Sequence, residues 1–391
     1  MVFSKQQEDL QRDLGVERDK SLKLMSKFAT VISGVRRCGK STLARQYLRD
    51  TSTVYYMRFE DINLTGFELS DFGKSEEILH EMLGEGGTYF FDEIQNIKGW
   101  EKYIRQLVDR GEKVIITGSN AAMLSSELGT RLTGRHLSGE LFPFSYKEFL
   151  KLRREKHSLL LFDEYLGEGG FPEFLKANDP EILRNLFQDI FYRDIMQRNE
   201  LRSETAIKSL LQYAISNIGR ETSYNKLKNL IGVGSANSVS QFMQHFEMAY
   251  VLFEVRKFDY SVRKQMVNAK KIYCVDNGII NQNAFTFSEN RGRMLENLVF
   301  LQLRKEGKEI FYHKEKHECD FVIRQGTKVR EAIQVCYELN SDNRLREVEG
   351  LIEAMKAYGL KEGLLLTYDE EDTLRINNNT IRVIPVWKWL E

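Results

Sequence analysis

Apolar residues along the first 150 positions fall into two alternating patterns. Residues 28–33 (FATVIS), 52–59 (STVYYMRF), 88–93 (TYFFDE) and 113–120 (KVIITGSN) are short runs rich in β-branched and aromatic side chains, the composition of strands buried on both faces. Between them, 43–50 (LARQYLRD), 76–84 (EEILHEMLG) and 100–110 (WEKYIRQLVDR) repeat apolar residues at helical spacing. Strands alternating with helices predict an α/β domain over 1–150, a parallel sheet with helices on both faces and a ligand edge where the strands end.

The pattern changes at LFPFSYKEFLKL, after Leu141. Residues 151–202 read as a helical lid or connector, interrupted by the turn GEGGFPEF at 167–174. Residues 203–285 carry helical stretches at 204–219, 223–232 and from 235, then strand-like VLFEVRKF and KKIYCVD. Helices followed by a hairpin are the order of a winged helix. Residues 286–391 predict a helix near 295–306, strands at 309–314, 319–325 and 330–339, a helix at 345–358, and strands at 363–368 and 381–387, which make a small α/β domain.

Composition narrows the class. At 391 residues the chain exceeds one ordinary core. Lys+Arg and Asp+Glu both number 57, so any basic surface must be local. The four cysteines are widely spaced without a CxxC pair, and no metal-ligand spacing joins His136, His245, His313 and His317. The N-terminal segment is charged rather than signal-like, and no apolar run reaches the ~20 residues of a membrane span. A cytoplasmic protein without membrane partners is expected.

The chemistry begins at GVRRCGKST, residues 34–42. In G-x-x-x-x-G-K-[ST], Gly34 and Gly39 let backbone N–H groups of Val35, Arg36, Arg37 and Cys38 turn towards phosphates. The helix that follows adds its positive end. Lys40 is expected on the β- and γ-phosphates, Ser41 on Mg2+, and Thr42 beside them. YFFDE then delivers Asp92 to the same metal and Glu93 as the base that polarises water. A metal-binding Asp followed by an acid favours hydrolysis of a nucleoside triphosphate over transfer to a small acceptor. Ser119 and Asn120, in TGSN, are candidates for orienting water and sensing the γ-phosphate. Arg131 and Arg135, in GTRLTGRH, are candidate arginine fingers, in cis or from a neighbouring copy.

GVRRCGKST, YFFDEIQNIKGWE, ITGSNAAMLSSELGTRLTGR and LFPFSYKEF resemble, in order and spacing, the prokaryotic AAA-superfamily ATPases that end in a domain of unknown function. The resemblance implies a P-loop NTPase fold over 1–150, ATP with Mg2+, and a nuclease-like C-terminal module. The last block, 286–391, resembles the restriction-endonuclease-like PD-(D/E)xK fold, with Glu296, Asp320 and Gln334 at the positions of the metal-binding acids. Cys336 stands where that pattern has lysine, and Lys314 or Lys328 are the substitutes a neighbouring strand offers. A non-cleaving relic is favoured over a live nuclease.

Residues 204–271 hold ten Lys/Arg against five acids, a local balance of +5. RKFDYSVRKQMVNAKK, at 256–271, places Arg256, Lys257, Arg263, Lys264, Lys270 and Lys271 in a candidate wing, suited to the phosphate backbone of DNA. A solvated hairpin that only makes protein contacts is the rival reading. The expectation is an ATP-hydrolysing protein whose cycle moves its C-terminal modules as a switch or motor on DNA. The alternatives are a nucleotide-gated scaffold and an ATP-controlled nuclease, and a homo-oligomer is open.

Overall fold

A computed structural model describes residues 2–391 except 11–13, 122–131, 133, 200, 202, 286–289, 342 and 377. The chain divides into two compact units, Met1–Phe142 with Met248–Tyr250, and Pro143–Glu247 with Val251–Glu391.

The first unit is built on strands β1 (Ala29–Gly34), β2 (Val54–Arg58), β3 (Thr88–Asp92), β4 (Val114–Gly118) and β5 (His136–Leu141). They form one sheet in the order β2-β3-β4-β1-β5, every pair parallel. This is the expected parallel α/β sheet of a P-loop NTPase. Every residue of β1, β3 and β4 is buried, as a sheet covered on both faces requires. The helices between strands are Lys40–Leu48, Asp71–Leu83 and Trp100–Asp109. The last buries Trp100, Tyr103, Ile104, Leu107 and Val108, a stripe at helical spacing. Phe91 of β3 lies at the centre of that core, edge-on to Phe72 and Tyr103, which stack on each other with centroids 4.3 Å apart.

This compact unit closes at Phe142. Phe144 is held by the helical region that follows: its N–H donates to Gly170 O at 2.7 Å, and its carbonyl accepts from the Tyr165 hydroxyl at 2.8 Å. The GEGG turn exists for the same packing. A Cβ on Gly170 would lie 2.3 Å from Phe144 O.

In the second unit, helices occupy Tyr146–Arg153, Leu159–Glu168, Pro172–Ala177, Pro180–Asp189, Glu204–Ser216, Tyr224–Ile231 and Ala236–Met248. Strands follow at β6 (Glu221–Thr222), β7 (Leu252–Lys257), β8 (Lys270–Cys274), β9 (Glu309–Lys314), β10 (Glu318–Gln325), β11 (Lys328–Val335), β12 (Glu362–Thr367), β13 (Asp372–Ile376) and β14 (Asn379–Pro385). The helices and the β7–β8 hairpin come in the expected order. However, 203–285 does not form a sheet of its own. All nine strands belong to one mixed sheet, β13-β14-β12-β11-β10-β9-β7-β8-β6, because β7 pairs in parallel with β9, Arg256 opposite Phe311. The two expected modules on either side of residue 285 are therefore continuous through hydrogen bonds.

Phe91→Ala removes a fully buried ring from the first core. It is expected to lower stability by about 3–5 kcal/mol, measured as a fall in the urea midpoint of the full chain.

Candidate active site

The phosphate loop begins where β1 ends. β1 and β5 run side by side so closely that a Cβ on Gly34 would stand 2.1 Å from the Leu141 carbonyl oxygen. Gly39 has φ 98°, in the left-handed region, and caps the helix Lys40–Leu48, the conformation that favours glycine. Arg37 also has a positive φ and is exposed, whereas Arg36 is paired with Glu60 at 3.1 Å. Val35 and Cys38 are fully buried. The Cys38 thiol donates to Leu141 O at 3.3 Å, and burial pushes it up, so it is a packing group.

Lys40 is buried with its ammonium folded over the loop, 3.3 Å from Gly34 O, 3.2 Å from Val35 O and 3.4 Å from Glu93 Oε1. Burial alone would lower this ammonium, but Glu93 first, then Cys38 and Asp92, outweigh it and hold it above its ordinary value. Ser41 Oγ donates to Asp92 Oδ1 at 2.8 Å. The same carboxylate accepts from the Thr117 hydroxyl of β4 and, through Oδ2 at 3.1 Å, from the Tyr56 hydroxyl of β2. Thr42 follows on the half-buried face of the helix.

Asp92 and Glu93 are neighbours with opposed electrostatics. Burial and the adjacent Glu93 charge raise Asp92, and Thr117, Ser41 and Lys40 offset part of that. For Glu93, the upward push of burial is outweighed by Lys40, with Gln95 and Arg36 helping, and its carboxyl is held below its ordinary value. Its backbone is left-handed, φ 55° and ψ 45°, and its N–H donates to Thr117 Oγ1 at 3.1 Å. An uncommon conformation for a non-glycine residue, fixed by a hydrogen bond to the next strand, aims the carboxylate at Lys40. Gln95 Nε2 donates to Glu93 and lies 3.5 Å from Ser119 Oγ. Ser119 is thus brought to the same cluster, while Asn120 follows it, half-buried.

The two arginines part company with the loop. Arg131 lies outside the described residues. Arg135 precedes β5, and its carbonyl accepts from Ala29 N at 3.1 Å. It therefore sits at the start of β1, one strand length, roughly 17 Å, from Gly34. Its guanidinium pairs with Asp109 and is half exposed. The cis role considered for Arg135 is corrected by this placement.

Four contributors were invisible in the motifs: Tyr56, Thr117, Gln95 and Arg18. The buried Arg18 guanidinium donates to Cys38 O and Phe142 O, both at 2.7 Å, and braces the loop. Gln46 holds that segment by accepting from Arg18 N and donating to Leu14 O and Val16 O. No sequence signal marks Arg18. Thr117 could have been found, being the hydroxyl two positions before Ser119 on a strand next to YFFDE.

In the second unit, Glu296, Asp320 and Gln334 do come together. Gln334 Oε1 accepts from Asp320 N at 3.1 Å, and one cation, Lys271, reaches both acids. Lys328 does not, since it opens β11 across the turn from Gln325. Lys314 is paired with Glu221 and Glu318. Cys336 donates to Glu338 O at 3.0 Å, and burial pushes its thiol up to about 12. The wing expectation is corrected in part: Lys270 and Lys271 are buried, so two of the six cations cannot meet a phosphate backbone.

Comparison with known proteins places the first unit in a described domain family. Residues 26–150 match the AAA domain family, and 159–290 and 291–389 match two domains of unknown function, DUF8612 and DUF4143. The chain is 36% identical to uncharacterized protein MJ1544 of Methanocaldococcus jannaschii, over 96% of this chain and 90% of that one. It is 30% identical to an uncharacterized protein of Haemophilus influenzae, over 93% and 94%. The chain belongs to the family of these proteins, and its first unit is a nucleotide-binding ATPase domain of the AAA type. A Thermotoga maritima RuvB variant aligns at 17% identity with a TM-score of 0.29, over 58% of this chain and 82% of that one, too low to bear on function.

Gly34→Ala is expected to push β1 from β5 and cost about 1–3 kcal/mol, read as a lower thermal midpoint with nucleotide absent.

Proposed function

We propose that the protein hydrolyses ATP with Mg2+ at this site. The observation that carries the reading is the Ser41–Asp92 hydrogen bond beside an ionised Glu93 paired to Lys40. Two adjoining oxygen donors, one of them a carboxylate, suit a hard cation. Ser41 and Asp92 would hold Mg2+, which supplies charge neutralisation on the phosphates when bound. The N–H groups of 34–42 would receive the phosphates, and Lys40 would leave its carbonyl partners for the γ-phosphate oxygens.

Glu93, held as a carboxylate, would accept a proton from water as the water oxygen bonds to the γ-phosphorus. The bond from that phosphorus to the β–γ bridging oxygen breaks, giving ADP and phosphate. Gln95 and Ser119 position this base, with Asn120 next to them. Arg135, too far along β1 to serve its own loop, would act on the nucleotide of a neighbouring copy, so the working form is a homo-oligomer. The cycle would move the C-terminal modules on DNA. Arg220, Lys226, Arg256, Arg263 and Lys264 are exposed and available to a phosphate backbone, and 203–285 supplies a winged-helix-like order. No helix among the described residues is long and apolar enough to cross a membrane.

Glu93→Gln is expected to keep ATP binding and lower turnover about 100-fold or more, whereas Lys40→Ala loses binding. Nucleotide-binding and phosphate-release assays separate the two, and undiminished hydrolysis by Glu93→Gln would refute the assignment of the base. Specific activity is expected to rise with protein concentration and with added duplex DNA, and to lose its concentration dependence in Arg135→Ala. Activity that ignores DNA would instead support a nucleotide-gated scaffold.

A further inference from the structure

We infer that the acidic cluster of the C-terminal sheet carries its cation as a side chain, with the Lys271 ammonium in the place a divalent metal would take between Glu296 and Asp320. Lys271 Nζ lies 3.0 Å from Glu296 Oε1, 2.8 Å from Asp320 Oδ1 and 2.7 Å from Glu318 Oε1. An ammonium has three N–H donors, and here each has a carboxylate to meet. Lys271 is 1% exposed, so its charge has no solvent to turn to.

The acids carry further hydrogen bonds as well. Asp320 Oδ2 accepts from Val335 N at 3.0 Å and Glu318 Oε2 from Lys314 at 3.0 Å, while Glu296 Oε1, the oxygen already on Lys271, also accepts from the Tyr273 hydroxyl at 2.6 Å. A divalent ion needs several open oxygen lone pairs in one shell. Among the described residues no group of three or more His, Cys, Asp or Glu has the geometry to hold a metal. The metal implied by the nuclease resemblance therefore does not fit this chain.

Lys271 comes from β8, not from the strand that carries Gln334 and Cys336. It arrives there because β7 joins the hairpin to β9, the neighbour of β10. Outside the acids lies a pocket of about 760 Å³, bordered by Glu296, Glu318, Asp320, Arg293 and Arg346. The buried lysine offsets one of the floor's three carboxylate charges from behind. Burial and Asp320 raise Glu296 to about 7 even with Lys271 beside it, which shows how poorly the acids would tolerate losing their counter-charge. The pocket can receive a polar or anionic group without recruiting Mg2+ or Mn2+, and metal-assisted phosphodiester cleavage is not its chemistry.

The test is Mn2+ binding to the full chain without nucleotide, followed by the electron paramagnetic resonance of free Mn2+. Wild type and Asp320→Asn are expected to bind the same number of ions. Lys271→Met is expected to gain one Mn2+ per chain and to recover, on adding Mn2+, a thermal midpoint lost by the substitution. One Mn2+ bound by wild type and lost in Asp320→Asn or in Glu296→Gln would overturn the inference, as would a folded Lys271→Met that gains none. Should Lys271→Met not fold, the comparison of wild type with Asp320→Asn and Glu296→Gln decides alone.

Discussion

The nucleotide unit is organised around one buried carboxylate. Asp92 sits in the interior at the end of β3, where an ionised group survives only with several partners. Ser41 reaches it from the helix after the phosphate loop, Thr117 from β4 and Tyr56 from β2. Three elements far apart in sequence are thereby held at one point of the sheet edge. Because Thr117 also takes the Glu93 N–H, the knot that fixes Asp92 sets the backbone of its neighbour. Positioning of Ser41, Asp92 and Glu93 is one problem with one solution.

Around that knot the electrostatics divide two adjacent acids. Lys40 lies against Glu93 and keeps it ionised, while Asp92 absorbs the cost of burial and is held by hydroxyls. The lysine is stored against its own loop carbonyls at Gly34 and Val35. Its contacts are two neutral carbonyl acceptors and one carboxylate, so the buried cation is paired.

How much was legible follows from which strands are covered. β1, β3 and β4 stand in the middle of the sheet and read as continuous apolar runs. β5 (HLSGEL) is an edge strand with only Leu141 buried, so no apolar pattern announces it. β6 has two residues, and β13 is exposed at the far edge of the larger sheet. That Lys40, Ser41, Asp92 and Glu93 come together was readable because they belong to motifs of fixed spacing at the ends of neighbouring strands. Tyr56, Thr117, Gln95 and Arg18 act through shape and distance, which depend on strand order. Lys271 is the sharpest case. Counting charge placed it among wing cations, and only the pairing of β7 with β9 turns it towards Glu296 and Asp320.

The three residues Met248–Tyr250 belong to the nucleotide unit although both neighbouring stretches of chain do not. Tyr250 adopts φ 60° and its hydroxyl lies 2.7 Å from Ser33 Oγ, one residue before Gly34. The nucleotide-binding unit is thus discontinuous in sequence. A polypeptide cut after Phe142 would hold every phosphate-loop and acid residue and still be incomplete, with the buried Ser33 hydroxyl deprived of this partner at the root of the loop. Tyr250 is in this sense part of the root of the loop, contributed in cis from more than a hundred residues downstream.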